Sequence, residues 1–86
     1  MKYFVYLLIT KNNRQTISYV GFTSNLKNRI KLHNNGKGAK FTRGRKWILA
    51  YKKCYKTKSE ALKNEYLLKK NYKKRSNIKK KFLLNK

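Results

Sequence analysis

The chain sets 25 lysines and arginines against two acids, a net charge of +23 over 86 residues, with 40% hydrophobic and 14% aromatic content. A chain of this length buries only about 60 to 65% of its unfolded surface, so we expect one small domain over residues 1–86, with 73–86 a basic tail or helix. The apolar content excludes a disordered polycation, and a lone Cys54 with a lone His33 excludes an internal disulfide or a cysteine-based zinc cluster.

A field of this sign concentrates polyanions, and nucleic acid is the favoured partner over a membrane surface or an acidic protein. Codon drift in an AT-rich genome also enriches Lys, Asn, Tyr and Ile, but it does not explain why no aspartate remains. The longest apolar run, Tyr3 to Ile9, is too short to span a bilayer and has no secretory cleavage site. A cytoplasmic location is the default expectation.

In chain order, "YFVYLLI" is β-branched and aromatic and predicts a buried strand. The polar "TKNNRQ" predicts a turn and "ISYVGFT" a second strand, giving a hairpin with a long loop over residues 3 to 23. Ser24 or Asn25 can cap a helix running to about Asn34, with Gly36 in the helix-ending position. "WILAYKKCY" predicts a third strand over residues 47 to 55. Thr57 to Glu60 form a capping box opening a longer helix through about Tyr72, and the basic tail adds a short last helix. The order β-β-α-β-α-α, without proline, linker or repeat, predicts an α+β domain of minimal size.

Residues 36 to 46, "GKGAKFTRGRK", combine glycines with Lys37, Lys40, Arg43, Arg45 and Lys46. Glycine lets backbone amides approach a phosphate, and the cations neutralise it. A solvated basic loop fits the same residues, and the spacing is not that of a phosphate-binding ATPase loop.

The two acids differ in placement. Glu60, third in the capping box, has a structural task at the helix start. Glu65 projects between Ala61, Leu68 and Tyr72, on the helix's apolar face. A carboxylate there needs a cation beside it, either a lysine such as Lys69 or a metal. One carboxylate with waters and substrate phosphate suits magnesium, and no second ligand set exists for a second ion. On the first helix, Leu26 and Ile30 define the apolar line, while Arg29 and His33 share its flank. Arg29 either holds a scissile phosphate or covers apolar surface with its stem; His33 either serves that site or caps the helix end. Tyr6 and Tyr19 lie on the hairpin strands, and Gly21 interrupts the side-chain row, a mark of close approach by a ligand or backbone. Core packing is the alternative for both tyrosines.

"FVYLL" followed by "YVG" resembles the paired motifs of the GIY-YIG nuclease family. Tyr6 matches the first tyrosine, Tyr19 and Gly21 the second motif, Arg29 the helical arginine and Glu65 the metal-binding glutamate. "HNNGKGAKFTRGRK" is similar to the small stand-alone bacterial members, which share a domain type with the nuclease end of an excision-repair protein. Phe4 and Val5 stand where the motif's name has Gly and Ile, and Phe22 stands where excision-repair members often carry lysine. Their late asparagine matches Asn77 by spacing or Asn71 by neighbourhood.

The resemblance implies a three-stranded antiparallel sheet flanked by helices and a metal-dependent endonuclease. It assigns one Mg²⁺ or Mn²⁺ ion to Glu65, transition-state charge to Arg29, the attacking water to Tyr19 or Tyr6, and a proton-carrying or phosphate-contacting role to His33. DNA is the expected substrate, with RNA as a second class, little base specificity, and a protein partner that supplies targeting. The alternative is a non-catalytic DNA- or RNA-binding protein on the same fold.

Overall fold

The computed structural model describes residues 2–12 and 15–84. Its elements are β1 (Tyr3–Asn12), β2 (Gln15–Thr23), α1 (Leu26–Asn34), β3 (Ile48–Tyr55), α2 (Lys58–Lys70) and α3 (Tyr72–Leu84). The sheet is antiparallel in the order β2-β1-β3, so the most apolar strand takes the centre. That position explains the unbroken hydrophobic run. Val5, Leu7 and Ile9 face one side of the sheet while Tyr6 and Leu8 face the other, and both sides are covered.

On one side Val5, Leu7, Ile9 and Val20 pack with Ala61 and Leu68 of α2, joined by Ile78 and Phe82 of α3. On the other, Tyr6, Leu8 and Trp47 pack with Tyr19, Leu49 and the Leu26 and Ile30 line of α1. The register between β1 and β3 shifts after Leu7, leaving Ala50 as an extra residue that bends β3.

Several expected boundaries move. The hairpin has no long loop: β1 continues to Asn12 and pairs it with Gln15, because ladder partners override the weak strand propensity of Lys and Asn. Asn13 and Arg14, the middle of the expected turn, lie outside the described residues. The second long helix ends at Lys70 rather than Tyr72. Asn71 closes it and then starts α3, its Oδ1 accepting from the Lys74 amide at 3.0 Å. Tyr72 is therefore off the apolar face of α2 and 70% exposed. The basic tail is a 13-residue helix with its own share of the core.

The caps follow the sequence more closely. Asn25 caps α1, its Oδ1 accepting from the Asn28 amide at 3.2 Å. At the other end Gly36 takes φ +76°, with Gly36 N donating to His33 O at 3.2 Å and Lys37 N to Leu32 O at 2.8 Å. Both bonds belong to the left-handed helix stop, which turns the chain back over His33. No described helix is long and apolar enough to cross a membrane.

Candidate active site

Tyr6 leaves the central strand on the α1 side, opposite Gly21. A Cβ at position 21 would lie 2.6 Å from Tyr6 Cζ, so only glycine lets the phenol pass over β2. The phenolic oxygen is 2.8 Å from His33 Nε2, and His33 Nδ1 is 2.9 Å from Thr42 Oγ1. The Thr42 hydroxyl donates to Ala39 O at 3.0 Å. Its single proton is thereby used, so Nδ1 must carry the hydrogen that Thr42 accepts. Nε2 is left as the acceptor for the Tyr6 O–H. The chain Tyr6, His33, Thr42, Ala39 is thus ordered in one direction, and Tyr6, His33 and Thr42 are each 0% exposed.

Burial sets the charge states. Loss of solvation lowers the His33 pKa, and the Arg29 charge lowers it further, so the ring is neutral at pH 7. Burial raises the Tyr6 pKa, opposed by a hydrogen bond from Arg29, with Tyr19 and Glu65 adding to the rise. Tyr6 therefore remains a phenol, as donation to His33 requires.

The loop after α1 is built around this histidine. A Cβ on Gly38 would lie 2.8 Å from His33 Cγ and 2.9 Å from its Cα, so the backbone crosses the ring at a point where any side chain is excluded. Trp47 Nε1 donates to Thr42 O at 2.8 Å, and Asn34 accepts from Trp47 N at 2.6 Å while donating to Trp47 O at 3.2 Å. Arg29 Nη2 donates to Gly38 O at 3.2 Å, whereas its Nε is buried without a partner.

The structure brings Tyr6, Tyr19, Arg29 and His33 together. Tyr19 is the half-buried member of the tyrosine pair, its ring centroid 4.9 Å from His33 and 6.2 Å from Phe41. It reaches solvent and Tyr6 does not. The phosphate contact expected of His33 is not available: the ring is fully buried and both nitrogens are engaged.

Glu65 comes from α2, with 17% of its side chain exposed and an ion pair to Lys69 at 3.7 Å. Its charge acts on Tyr6. Among the described residues no group of three His, Cys, Asp or Glu is arranged to hold a metal. Of the loop cations, Lys37, Lys40, Arg43 and Lys46 are exposed, while Arg45 is half-buried with its guanidinium carbon 5.8 Å from the Phe41 ring centroid. Asn71 is committed to its cap, and Asn77 is exposed on α3.

Sequence reasoning missed Thr42, Gly38, Asn34 and Trp47. Gly38 carried a signal as one of two glycines two apart after the helix. Thr42 carried none, because its contact with His33 exists only after the helix stop folds the loop back.

The GIY-YIG catalytic domain family matches residues 2–80. A UPF0213 protein of Bacillus licheniformis is 51% identical over 53 residues, covering 60% of this chain and 55% of that protein, so the chain spans about half of that relative's length. A UPF0213 protein of Staphylococcus haemolyticus is 42% identical over 69 residues, 79% of this chain and 80% of that protein. The solution NMR structure of a UPF0213 protein from Bacillus halodurans aligns with a TM-score of 0.53 at 36% identity, covering 91% of this chain and 82% of that one. With the paired tyrosines, Gly21, Arg29 and Glu65 on the three-stranded α+β fold, the chain belongs to the GIY-YIG catalytic domain family, a nuclease superfamily whose substrates are nucleic acids and whose members generally use a divalent metal.

Proposed function

We propose that the protein is a metal-dependent endonuclease that hydrolyses DNA phosphodiester bonds with little base specificity, selecting substrates by structure. The observation that carries this is the placement of Arg29. The guanidinium is pinned beside the tyrosine pair by Gly38 O and by its hydrogen bond to the Tyr6 phenol, which leaves its charge unneutralised where a phosphate would sit. A salt-bridge arginine would instead face a carboxylate, and the one ion pair among the described residues joins Lys69 to Glu65.

Water attacks phosphorus and gives up a proton to solvent as the new P–O bond forms, and the bond to the 3′ oxygen breaks, that oxygen taking a proton from solvent to leave as a hydroxyl. Tyr19 is the phenol that can meet that water, because it is half-buried whereas Tyr6 is enclosed. Arg29 balances charge on the pentacovalent phosphorus. Tyr6 and His33 fix the floor beneath both.

Glu65 is the residue that would hold a divalent ion. A single partly buried carboxylate fits Mg²⁺ or Mn²⁺, which keep water and take substrate oxygens rather than a full protein cage. Bound there, the ion would supply positive charge to the phosphate and the leaving oxygen. The Lys69 pair is no obstacle, since an i,i+4 pair with one member 54% exposed contributes only about 0.3 to 0.5 kcal/mol. The same pair favours the second reading, a non-catalytic DNA- or RNA-binding protein in which Glu65 is satisfied by Lys69 alone.

The test is incubation of plasmid, branched and single-stranded DNA with wild type and Glu65→Gln, in magnesium and in chelator. Wild type should cut in magnesium only, and Glu65→Gln should bind without cutting. Cutting by Glu65→Gln at a near-normal rate would overturn the assignment and favour the binder. With charge as the main recognition device, we also propose that a protein partner supplies targeting in the cytoplasm.

A further inference from the structure

A groove separate from the tyrosine pair lies where the end of β1 meets the second half of the basic loop, lined by Thr10, Lys11, Arg43, Gly44, Arg45 and Lys46. Four of these side chains are cations, and no carboxylate lines it. Arg45 is placed rather than free: its guanidinium lies over Phe41, and its Nη1 is buried without a hydrogen-bond partner. Gly44 has φ +77°, yet a Cβ there would meet nothing within 4 Å, so the turn itself demands the glycine and the space beside it is open.

The strand gives the groove a distance from the candidate active site. Tyr6, Leu8 and Thr10 point to the same face of β1, and Leu8 pairs with Tyr19. Two residues of antiparallel strand advance about 6.8 Å, so Thr10 lies about 7 Å beyond the level of Tyr19 and about 14 Å beyond Tyr6. Each strand of a duplex carries one phosphate per about 3.4 Å of axis. We propose that the groove is a second phosphate subsite, which holds the nucleic-acid backbone about two to four nucleotides from the bond that is cut. The register depends on the cleavage reading above; binding of phosphate in the groove does not.

The subsite explains why Arg45 is seated on an aromatic ring rather than left exposed like the surrounding lysines. A planar fork held in one orientation reads a phosphate at a fixed place, whereas exposed lysines act as point charges anywhere along the backbone. The loop then does two jobs with opposite ends, Gly38 holding Arg29 and Arg45 holding the flanking strand.

The experiment has a protein arm and a DNA arm. In the first, the salt dependence of duplex binding is compared for Glu65→Gln, for Glu65→Gln carrying Arg43→Ala, Arg45→Ala and Lys46→Ala, and for Glu65→Gln carrying Lys58→Ala, Lys63→Ala and Lys73→Ala. The groove set should lower the log–log salt slope by about 2 and weaken binding at least tenfold, while the helix set, with the same loss of charge, changes the slope by less than 1. Equal changes from the two sets would mean a general field and overturn the subsite. In the second arm, single neutral methylphosphonates are walked along a duplex whose cut site has been mapped with wild type. This needs no variant beyond Glu65→Gln. Lost affinity two to four nucleotides from the cut supports the subsite, and loss confined to the cut position overturns it. If wild type cuts nothing, the cleavage reading fails while the salt comparison still decides the groove.

Discussion

The two faces of the sheet are held by different physics. Toward α2 and α3 the fully buried core is aliphatic, with half-buried aromatic rings packed around it, and the side-chain hydrogen bonds on those helices are exposed, at the Thr57 and Asn71 caps and from the Asn64 amide to Glu60 O. Toward α1 the core is aromatic and polar, with Tyr6, His33, Thr42 and Trp47 joined by buried bonds of 2.8 to 2.9 Å. Hydrophobic burial is non-directional and tolerates repacking, whereas a buried polar chain fixes atoms in place and is costly if broken. The difference separates stability, supplied mainly by one face, from placement of Arg29 and the basic loop, supplied by the other.

The comparison breaks most visibly if chemistry and stability fail to separate. Arg29→Ala should cut the single-turnover rate by about 10² to 10⁴, equal to about 2.7 to 5.4 kcal/mol of transition-state stabilisation, with a smaller loss of DNA binding among the remaining cations. Arg29→Lys should recover only part, because an ammonium cannot reproduce the fork. On the aliphatic face Leu7→Ala should cost about 2 to 5 kcal/mol in denaturant unfolding, yet leave the rate of the folded fraction near normal. A normal rate for Arg29→Ala in single turnover would remove it from the site.

Removing the phenol at the centre of the polar chain tests the other half. Tyr6→Phe keeps the ring and leaves His33 Nε2 buried without its donor, a loss of about 1 to 3 kcal/mol. Tyr19→Phe, at a half-exposed position, should cost little stability and lower the cleavage rate instead. Reversal of that pattern, with Tyr6→Phe abolishing cleavage in a stable protein, would make the enclosed tyrosine the one that meets water.

Acid should act on the same face. The folded pKa of His33 lies below its unfolded value of about 6.5, so the unfolded chain binds more protons in that window. The stabilisation is therefore fully present above about pH 6.5 and is lost as pH falls through the depressed folded pKa. Groups facing the ring are Arg29, which opposes protonation, Thr42, which accepts the Nδ1 hydrogen, Tyr19, whose ring packs against it, and Tyr6, whose O–H would have to turn away before Nε2 could take a proton. Unfolding followed from pH 7.5 down to 4.5 should show a decline that is shallower in His33→Gln. Identical slopes would show that some other group titrates.

Much of this is legible in sequence where the signal is local. β-branched and aromatic runs mark the strands, Asn25, Gly36 and Thr57 mark the helix ends, and the apolar line of α1 puts Arg29 and His33 on one flank. The polar chain is not legible, because β1 is buried on both sides and its unbroken apolar run does not say which face Tyr6 takes. Thr42 and Gly38 reach His33 only through the helix stop, a contact that no periodicity encodes. The tail reads as no more than a short helix because lysines outnumber Ile78 and Phe82, although two apolar residues at helical spacing are enough to dock all of α3.

The smallest expected effect lies in the cap of α2, far from the polar chain. Thr57 Oγ1 accepts from the Glu60 amide and donates to Glu60 Oε1, both at 3.1 Å, so the carboxylate braces the capping hydroxyl instead of reaching the Thr57 amide as the usual box would have it. Thr57→Ala should therefore cost about 1 kcal/mol, whereas Glu60→Gln keeps an oxygen acceptor and loses only the favourable charge at the helix start, about 0.3 to 1 kcal/mol. Neither should alter the cleavage rate at saturating protein. Glu60 and Glu65 thus form an internal control, two glutamates on one helix in which the same Gln substitution separates a structural acid from a catalytic one. If Glu60→Gln slowed cleavage as much as Glu65→Gln in a fully folded protein, the loss would follow from charge on α2 in general, and Glu65 would have no special claim to the metal.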